Sequence, residues 1–513
     1  MILKNLNFGA TARDKVLKGI EKLTNAVSST LGASGKCVIL EDAQGKPIIT
    51  KDGVTVADSI FLKDPVEHIG ATLIKEAARK TVKEAGDGTT TATILAHAIL
   101  KEAYPKLDKK NSREIKEGIL SGVKKVIEYL GNNSVPVKDK IKEIATISTN
   151  NDAKLGELIA EAFTAVGKTG VVIMEPSSVG ETEIEIVEGV EYDKGLLNQN
   201  FINNKEHSTC ELEKPLVLIV DSKIDSIRQI QNVLEHVIKT NRALLIVGDV
   251  EAPVLSALVM NKLKGNIKVN VIDPPAFGLR RKELLEDLSL LTNAQIINED
   301  LGDDLNAIEI DYLGECIKTT TTQDQTIMRV EEPNEEIKKI IANIKEKLTT
   351  KLKPHQVIGY EQRLARLSAK VAIVRVGANS DIELKEKQDR VEDAICATKA
   401  AIKEGIVAGG GIALLNAASS IEEQNIGEKI LLSSIVYPYK IILENAGIQP
   451  TTQEKPGFGI NVVTGNMVHM INDGIIDPLL VTKSALINAA SVATTILSTD
   501  CVINNVRDYE SNR

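Results

Sequence analysis

From Ala12 to Leu130 apolar residues recur every three to four positions, the period that turns one face of a helix toward a core. The stretch "EHIGATLIKEAARKTVKE" sets Ile69, Leu73, Ala77 and Val82 on roughly one such face. The stretch "TTATILAHAILKEAY" does the same with Ile94, Leu95, Ala98 and Ile99. Short β-prone runs interrupt this texture between Cys37 and Ile60. Within them "IITKDGVTV" holds Asp52-Gly53 between two β-prone segments, which predicts a hairpin turning on that pair.

From about Val171 to Asp311 the pattern changes. The runs "VVIM", "EIEIVEGV", "LVLIV", "ALLIVGDV", "KVNVID" and "AQIIN" alternate with helical stretches, as in an α/β domain. A charged helical stretch at Glu335 to Ala369 and a strand "VAIVRVG" follow, and from Asp389 the chain is largely helical again. Helical ends around an α/β insert predict a domain built from both ends of the chain. Pro136, Gly189 and Gly405 are candidate joints, because proline restricts and glycine frees the backbone.

Length and composition narrow the classes. At 513 residues the chain exceeds a single core, so several domains are expected. A formal net charge of −9, few aromatics and no tryptophan argue against nucleic-acid binding. The five cysteines are scattered without a CxxC pair, which fits a reducing, cytosol-like compartment rather than a disulfide framework or zinc site. No run reaches the length of a membrane span, and the start lacks a signal-peptide pattern.

The candidate chemistry centres on "AGDGTTTAT", Ala85 to Thr93. Gly86 and Gly88 predict a helix stop, a tight turn and a helix start, with Thr89 or Thr90 as N-cap. A helix N-terminus offers N–H groups and partial positive charge to a phosphate without any lysine. An acid beside polyphosphate needs a cation between them, so Asp87 reads as a Mg²⁺ ligand. "TLGASGK", Lys51-Asp52-Gly53, "AGGG" and "GIIDP" could line the same pocket, and each alone also reads as a turn. Two other readings stay open on these residues. "AGDG" resembles the Gly-Asp signature of ribokinase-like sugar kinases, and a scaffold whose turns bind nothing would show the same loops.

Taken together, six segments resemble the group I chaperonins, the GroEL-type ring chaperones. They are "TLGASGK", "ITKDGVTVA", "AGDGTTTAT", "ATISTNND", "RVEDAICATKAAIKEGIVAGGG" and "GIIDP", in the family's order, and the resemblance runs from about Phe8 to Ile503. It implies a multidomain α/β chain. A mainly helical equatorial ATPase domain would take residues 1–135 and 405–513, a small α/β intermediate domain 136–188 and 372–404, and an α/β apical domain 189–371.

The resemblance also implies roles. Asp87 would hold Mg²⁺, with Gly88, Thr89, Thr90 and Thr91 on the phosphates and Asp52 and Asp393 beside the attacking water. Thr30, Leu31, Gly32 and Lys51 would line the phosphate side, while Gly410, Asn461, Ile475 and Asp477 would hold the adenosine of ATP. A K⁺ ion is expected as well. Phe201, Leu234, Leu255, Val259 and Met260 would bind non-native polypeptide and a GroES-like co-chaperonin lid. The assembly would be a homo-oligomer of heptameric rings in the cytoplasm, with no nucleic-acid or membrane partner. The chain departs from the family pattern at Ala33, at Leu196, Asn200 and Gln231 in the polypeptide groove, at Ala369-Lys370 in the upper hinge, and in the tail "NNVRDYESNR". The hinge change predicts a stiffer apical swing.

Overall fold

In the computed structural model the described residues are 4–41, 45–107, 112–137, 140–149, 151–167, 171–177, 180–192, 194–205, 207–274, 279–331, 335–348, 360, 363–364, 367, 370–449 and 455–505. Two compact units result. The first takes residues 1–161, 174–183 and 374–513, and the second takes 162–173 and 184–373.

The first unit is mainly helical and joins both ends of the chain. Strand Lys4–Phe8 pairs antiparallel with Cys501–Asn505, from Lys4↔Asn505 to Phe8↔Cys501. Its core gathers Ile20 and Leu23 of helix Gly9–Ser28, Ala71 and Ile74 of Pro65–Ala85, Leu95 and Ile99 of Thr89–Ala103, and Leu486 and Ala489 of Leu479–Leu497. Helices Gly9–Ser28 and Pro65–Ala85 meet at glycines. A Cβ on Gly19 would stand 1.9 Å from the Glu67 carbonyl oxygen, and one on Gly70 2.4 Å from that of Val16. This close approach decides the buried face of Pro65–Ala85. Gly70, Ala71, Ile74, Ala77, Ala78 and Thr81 are inside, whereas Ile69 and Leu73 are only partly covered and Val82 is exposed. The buried face is rotated from the one that the spacing of large apolar residues predicts, because small residues set the helix approach.

Two further expectations are corrected in this unit. Asp52-Gly53 is not a hairpin tip. The hairpin pairs Val38–Glu41 with Pro47–Thr50, and Asp52 instead caps the helix Gly53–Ser59. Its carboxylate accepts from Val54 N at 3.2 Å and Thr55 N at 2.7 Å, and this capping overrides the β preference of "VTV". Helix Leu479–Leu497 is long and apolar enough, by length and composition, to cross a membrane, so one run does reach span length. Its Ala485, Leu486, Asn488, Ala489 and Ala493 are buried in the core of this unit.

The second unit is α/β. Strand Leu216–Ile224 runs parallel to Ala243–Val250 and to Ile296–Ile297, and Ala243–Val250 runs parallel to Lys268–Ile272. Val217 to Val220 and Leu244 to Val247 are fully buried, the continuous apolar runs of a sheet covered on both faces. Helices Gln231–Thr240, Ala252–Leu263 and Leu279–Thr292 lie between these strands in the chain. A second sheet orders Glu183–Tyr192, Thr326–Arg329, Lys318–Thr321 and Cys210–Glu213 as antiparallel neighbours.

The expected joints behave differently from one another. Gly405 has φ +88°, and a Cβ there would stand 2.8 Å from the Val135 carbonyl oxygen, beside the Val135↔Ile406 bridge. Only glycine suits that turn. Gly189 sits inside a strand without a positive φ. A Cβ there would meet Val371 Cγ2 at 2.5 Å and the Met328 carbonyl oxygen at 2.8 Å, so it is small for the sake of packing. Of the hinge pair, Lys370 opens the strand Lys370–Val376, while Ala369 lies outside the described residues, as does the tail from 506 on.

Candidate nucleotide site

The site grows from a break between two helices of the first unit. Pro65–Ala85 ends on Gly86 at φ +73°, and Thr89–Ala103 starts after Gly88 at φ +91°. Gly88 is therefore the N-cap, not Thr89 or Thr90. Left-handed backbone on either side holds Asp87 at the turn, and its carboxylate accepts from Gly88 N. Helix geometry leaves the first N–H groups of Thr89, Thr90 and Thr91 pointing out of the helix start.

A second helix start lies against the first. A Cβ on Gly53 would stand 2.4 Å from Thr90 Oγ1 and 2.9 Å from Thr89 Oγ1. The N-terminus capped by Asp52 thus abuts the threonines of the Asp87 loop. Lys51 donates to the Gly32 carbonyl oxygen at 3.3 Å, tying the "TLGASGK" loop to the same place. Burial lowers the pKa of its ammonium; Cys37 and Glu386 oppose that shift and Arg390 adds to it. Thr30 Oγ1 donates to Val27 O at 2.8 Å, and Asn445 Nδ2 donates to Leu31 O at 2.9 Å, so the loop is pinned from both sides.

Helix Asp381–Glu404 closes the site with Asp393, and its Cys396 packs on Gly86. Burial pushes the Asp393 carboxyl well above the ordinary range, helped by the charges of Asp87 and Asp52. Burial likewise raises Asp87, with Asp52 adding and the Gly88 N–H opposing. Sequence reasoning missed Asp389, which burial and then Asp52 push up to about 6. It stands one turn before Asp393, so helical periodicity in "DRVED" would have placed both on one face.

On the nucleoside side, strand Ile476–Pro478 pairs with Ile406–Ala408, setting Asp477 opposite Val407. Burial and Asp87 push Asp477 up to about 7, although Gly410 and Gly411 N–H groups donate to it. Next to it lies an apolar cluster of Ala408, Ile412, Tyr439, Leu443 and Met470, with Ile460 and Ile475 packed against it. A Cβ on Gly410, at φ +62°, would stand 3.1 Å from Met470 Cε. Asn461 donates through Nδ2 to Asp473 Oδ2 at 2.9 Å, and its Oδ1 accepts from Val463 N at 3.0 Å, so its side chain organises the loop.

The donor set suits a hard cation. Carboxylate and hydroxyl oxygens gather at Asp87, Asp52, Thr89 and Thr90, and burial raises the carboxyls of Asp87 and, close by, Asp393. Among the described residues no group of three or more His, Cys, Asp or Glu forms a complete metal cage. A metal here would draw its remaining oxygens from phosphate and water, the usual habit of Mg²⁺.

The expected polypeptide residues lie in the second unit and divide by exposure. Phe201 is fully buried and Val259 nearly so in this conformation. Each fills the core under the helices. Leu234 and Leu255 are partly buried, and Met260 is 53% exposed. Ile238 and Leu263, which were missed, are the exposed apolar residues nearest in sequence to Leu234 and Met260. They stand four and three residues on, so the helical period was the available signal. Gln231 is exposed and donates to Glu235 at 3.0 Å, a polar end to this strip.

The chain is similar over its whole length to two crystal structures of the chaperonin gp146 from the bacteriophage EL 2 (Pseudomonas aeruginosa), both in the presence of ATP-BeFx. Crystal form II gives a TM-score of 0.74 at 23% identity, covering 98% of this chain and 99% of that one. Crystal form I gives 0.66 at 21% identity with the same coverage. At such identities the likeness is one of fold. The sequence model of the TCP-1/cpn60 chaperonin family matches residues 23–507, from the first long helix to the closing strand, and this chain belongs to that family.

Proposed function

We propose that this chain is an ATP-hydrolysing ring chaperonin that binds non-native polypeptides and promotes their folding. The observation that carries the reading is the convergence on Asp87 of two helix N-termini and the acidic face of helix Asp381–Glu404. Phosphates would lie on the N–H groups of Thr89, Thr90 and Thr91, with Thr30, Leu31, Gly32 and Lys51 along their other side. Gly410, Ile475 and Asp477 would receive the nucleoside, with Asn461 shaping the loop around it.

A bound Mg²⁺, held through Asp87, would neutralise phosphate charge, and K⁺ would sit nearby. Hydrolysis needs little covalent help, mainly an oriented water. Asp393 would accept the proton of that water as a carboxylate, once a bound cation offsets the charges of Asp87 and Asp52 that oppose its ionisation. Asp52 is committed to its cap through both oxygens and would orient the water through its remaining lone pairs. Turnover would therefore require helix Asp381–Glu404 to be seated on Gly86.

The half-buried Leu234 and Leu255 and the exposed Ile238, Met260 and Leu263 are the proposed polypeptide surface, the helix-pair mode of peptide capture. A GroES-like lid would compete there, and rings of seven copies would multiply the surface. Five free cysteines among the described residues favour a reducing cytoplasm. The deciding experiment replaces Asp393 by Ala. ATP turnover should be nearly abolished while ATP binding persists, and loss of binding instead rejects the role given to Asp393. Mass measurement in the same preparation checks the ring, and a monomer that turns over ATP only with added sugar would favour a kinase.

A further inference from the structure

We infer that Glu143 recognises the nucleoside, its carboxylate accepting a hydrogen bond from the base amine or a ribose hydroxyl; this rests on the nucleotide reading above. Glu143 lies on helix Ile141–Ser148. Its neighbour Ile144 is fixed in a cluster with Val137, Ala397, Ala401, Ile406 and Ile476, which sets the helix rotation. Glu143 itself packs on Gly474, where a Cβ would stand 3.1 Å from Glu143 Cγ and φ is +76°.

That glycine belongs to the nucleoside loop. Asp473 before it accepts from Asn461 at 2.9 Å, and Ile475 after it donates to Met470 O at 2.8 Å and accepts from Gly409 N at 3.0 Å. The helix is tied to the same loop by Lys140, whose Nζ donates to Ile471 O at 2.6 Å. Glu143 Oε2 is buried there and meets no hydrogen-bond donor among the described residues. The two lysines of its own turn are committed elsewhere, Lys140 to Ile471 and Lys142 to Glu157 at 2.7 Å.

A buried acceptor without a donor is rare in a native fold and calls for a partner. A carboxylate can only accept, so that partner must carry N–H or O–H. Adenine offers its exocyclic amine and ribose its hydroxyls, whereas the carbonyl oxygen of hypoxanthine or guanine would face the carboxylate unfavourably.

Calorimetry on the full-length chain with ATP, ITP and 2′-deoxy-ATP, in Mg²⁺, tests this on the native protein, Glu143→Ala and Glu143→Gln. The native protein should prefer ATP over ITP, or over 2′-deoxy-ATP, by about tenfold, the loss expected for one hydrogen bond to a charged acceptor. Glu143→Ala should level that ratio, and the analogue affected identifies the amine or the hydroxyl. If Glu143→Ala folds poorly, Glu143→Gln carries the test, because its amide keeps the volume and weakens the discrimination. Native ratios kept in a folded variant that binds ATP, or no preference in the native protein, overturn the inference. A native protein that binds none of the three nucleotides overturns the nucleotide reading itself.

Discussion

Gly86 and Cys396 are packed so closely that a Cβ on the glycine would lie 2.4 Å from the cysteine Cβ and 2.7 Å from its Sγ. The helix bearing Asp393 therefore seats directly on the turn that bears Asp87. Gly86→Ala adds a methyl at this contact and strains a left-handed residue at φ +73°. The helix must lift, so ATP turnover should fall at least tenfold with a smaller change in ATP affinity. Single-turnover kinetics beside equilibrium binding separates the two effects, and an unchanged rate would falsify the seating argument.

The raised carboxyls give stability a definite pH dependence in the absence of nucleotide. Asp389 and Asp477 rise from 3.8 to about 6 and about 7, so between about pH 4 and 7 the folded chain holds protons that the unfolded chain has released. Folding is then favoured at the acidic end and loses this contribution as pH rises through the folded values. Asp477→Asn should flatten the curve by removing one such group. Urea midpoints at pH 5, 6 and 7.5, compared between native protein and variant, measure the difference directly; equal slopes would reject the assignment.

Glu428 is a structural clasp of the first unit. Its side chain is 1% exposed and accepts from Lys125 at 2.8 Å, Ser121 at 2.9 Å and Gln424 N at 2.8 Å. Glu428→Ala leaves these donors unmatched and should cost about 2–4 kcal/mol. Chemical denaturation reads that loss, while nucleotide affinity at low temperature should stay close to native.

The exposed strip on helices Gln231–Thr240 and Ala252–Leu263 allows the opposite dissociation. Replacing Ile238, Met260 and Leu263 together by serine should weaken capture of a denatured client severalfold without lowering basal ATP turnover. Phe201→Ala should instead destabilise the second unit by about 3–5 kcal/mol, as for any large buried aromatic. Light-scattering assays of client aggregation, run beside thermal melts, distinguish the two. Equal client capture by the triple variant and the native chain would remove the strip from the polypeptide site.

The alternation of short apolar runs with helical stretches was enough to read the α/β insert, because parallel strands covered on both faces must be continuously apolar, as Val217 to Val220 are. The Gly-Asp-Gly loop was legible for a similarly local reason. Left-handed turns and helix starts are written in a few adjacent residues, here Gly86, Asp87, Gly88 and the threonines. By itself the sequence determined these elements, their order and the residue types of the candidate site. What depended on distant partners was not legible. The buried face of Pro65–Ala85 was decided by two glycines meeting backbone across the helix pair, and the close fit of the Asp52-capped helix start against Thr89 and Thr90 exists only in the fold. Likewise, only tertiary packing brought Asp389 and Asp393 toward Asp52, set Glu143 against Gly474, and turned Phe201 inward. Burial and close approach are properties of two chain segments at once, and no pattern within one segment carries them.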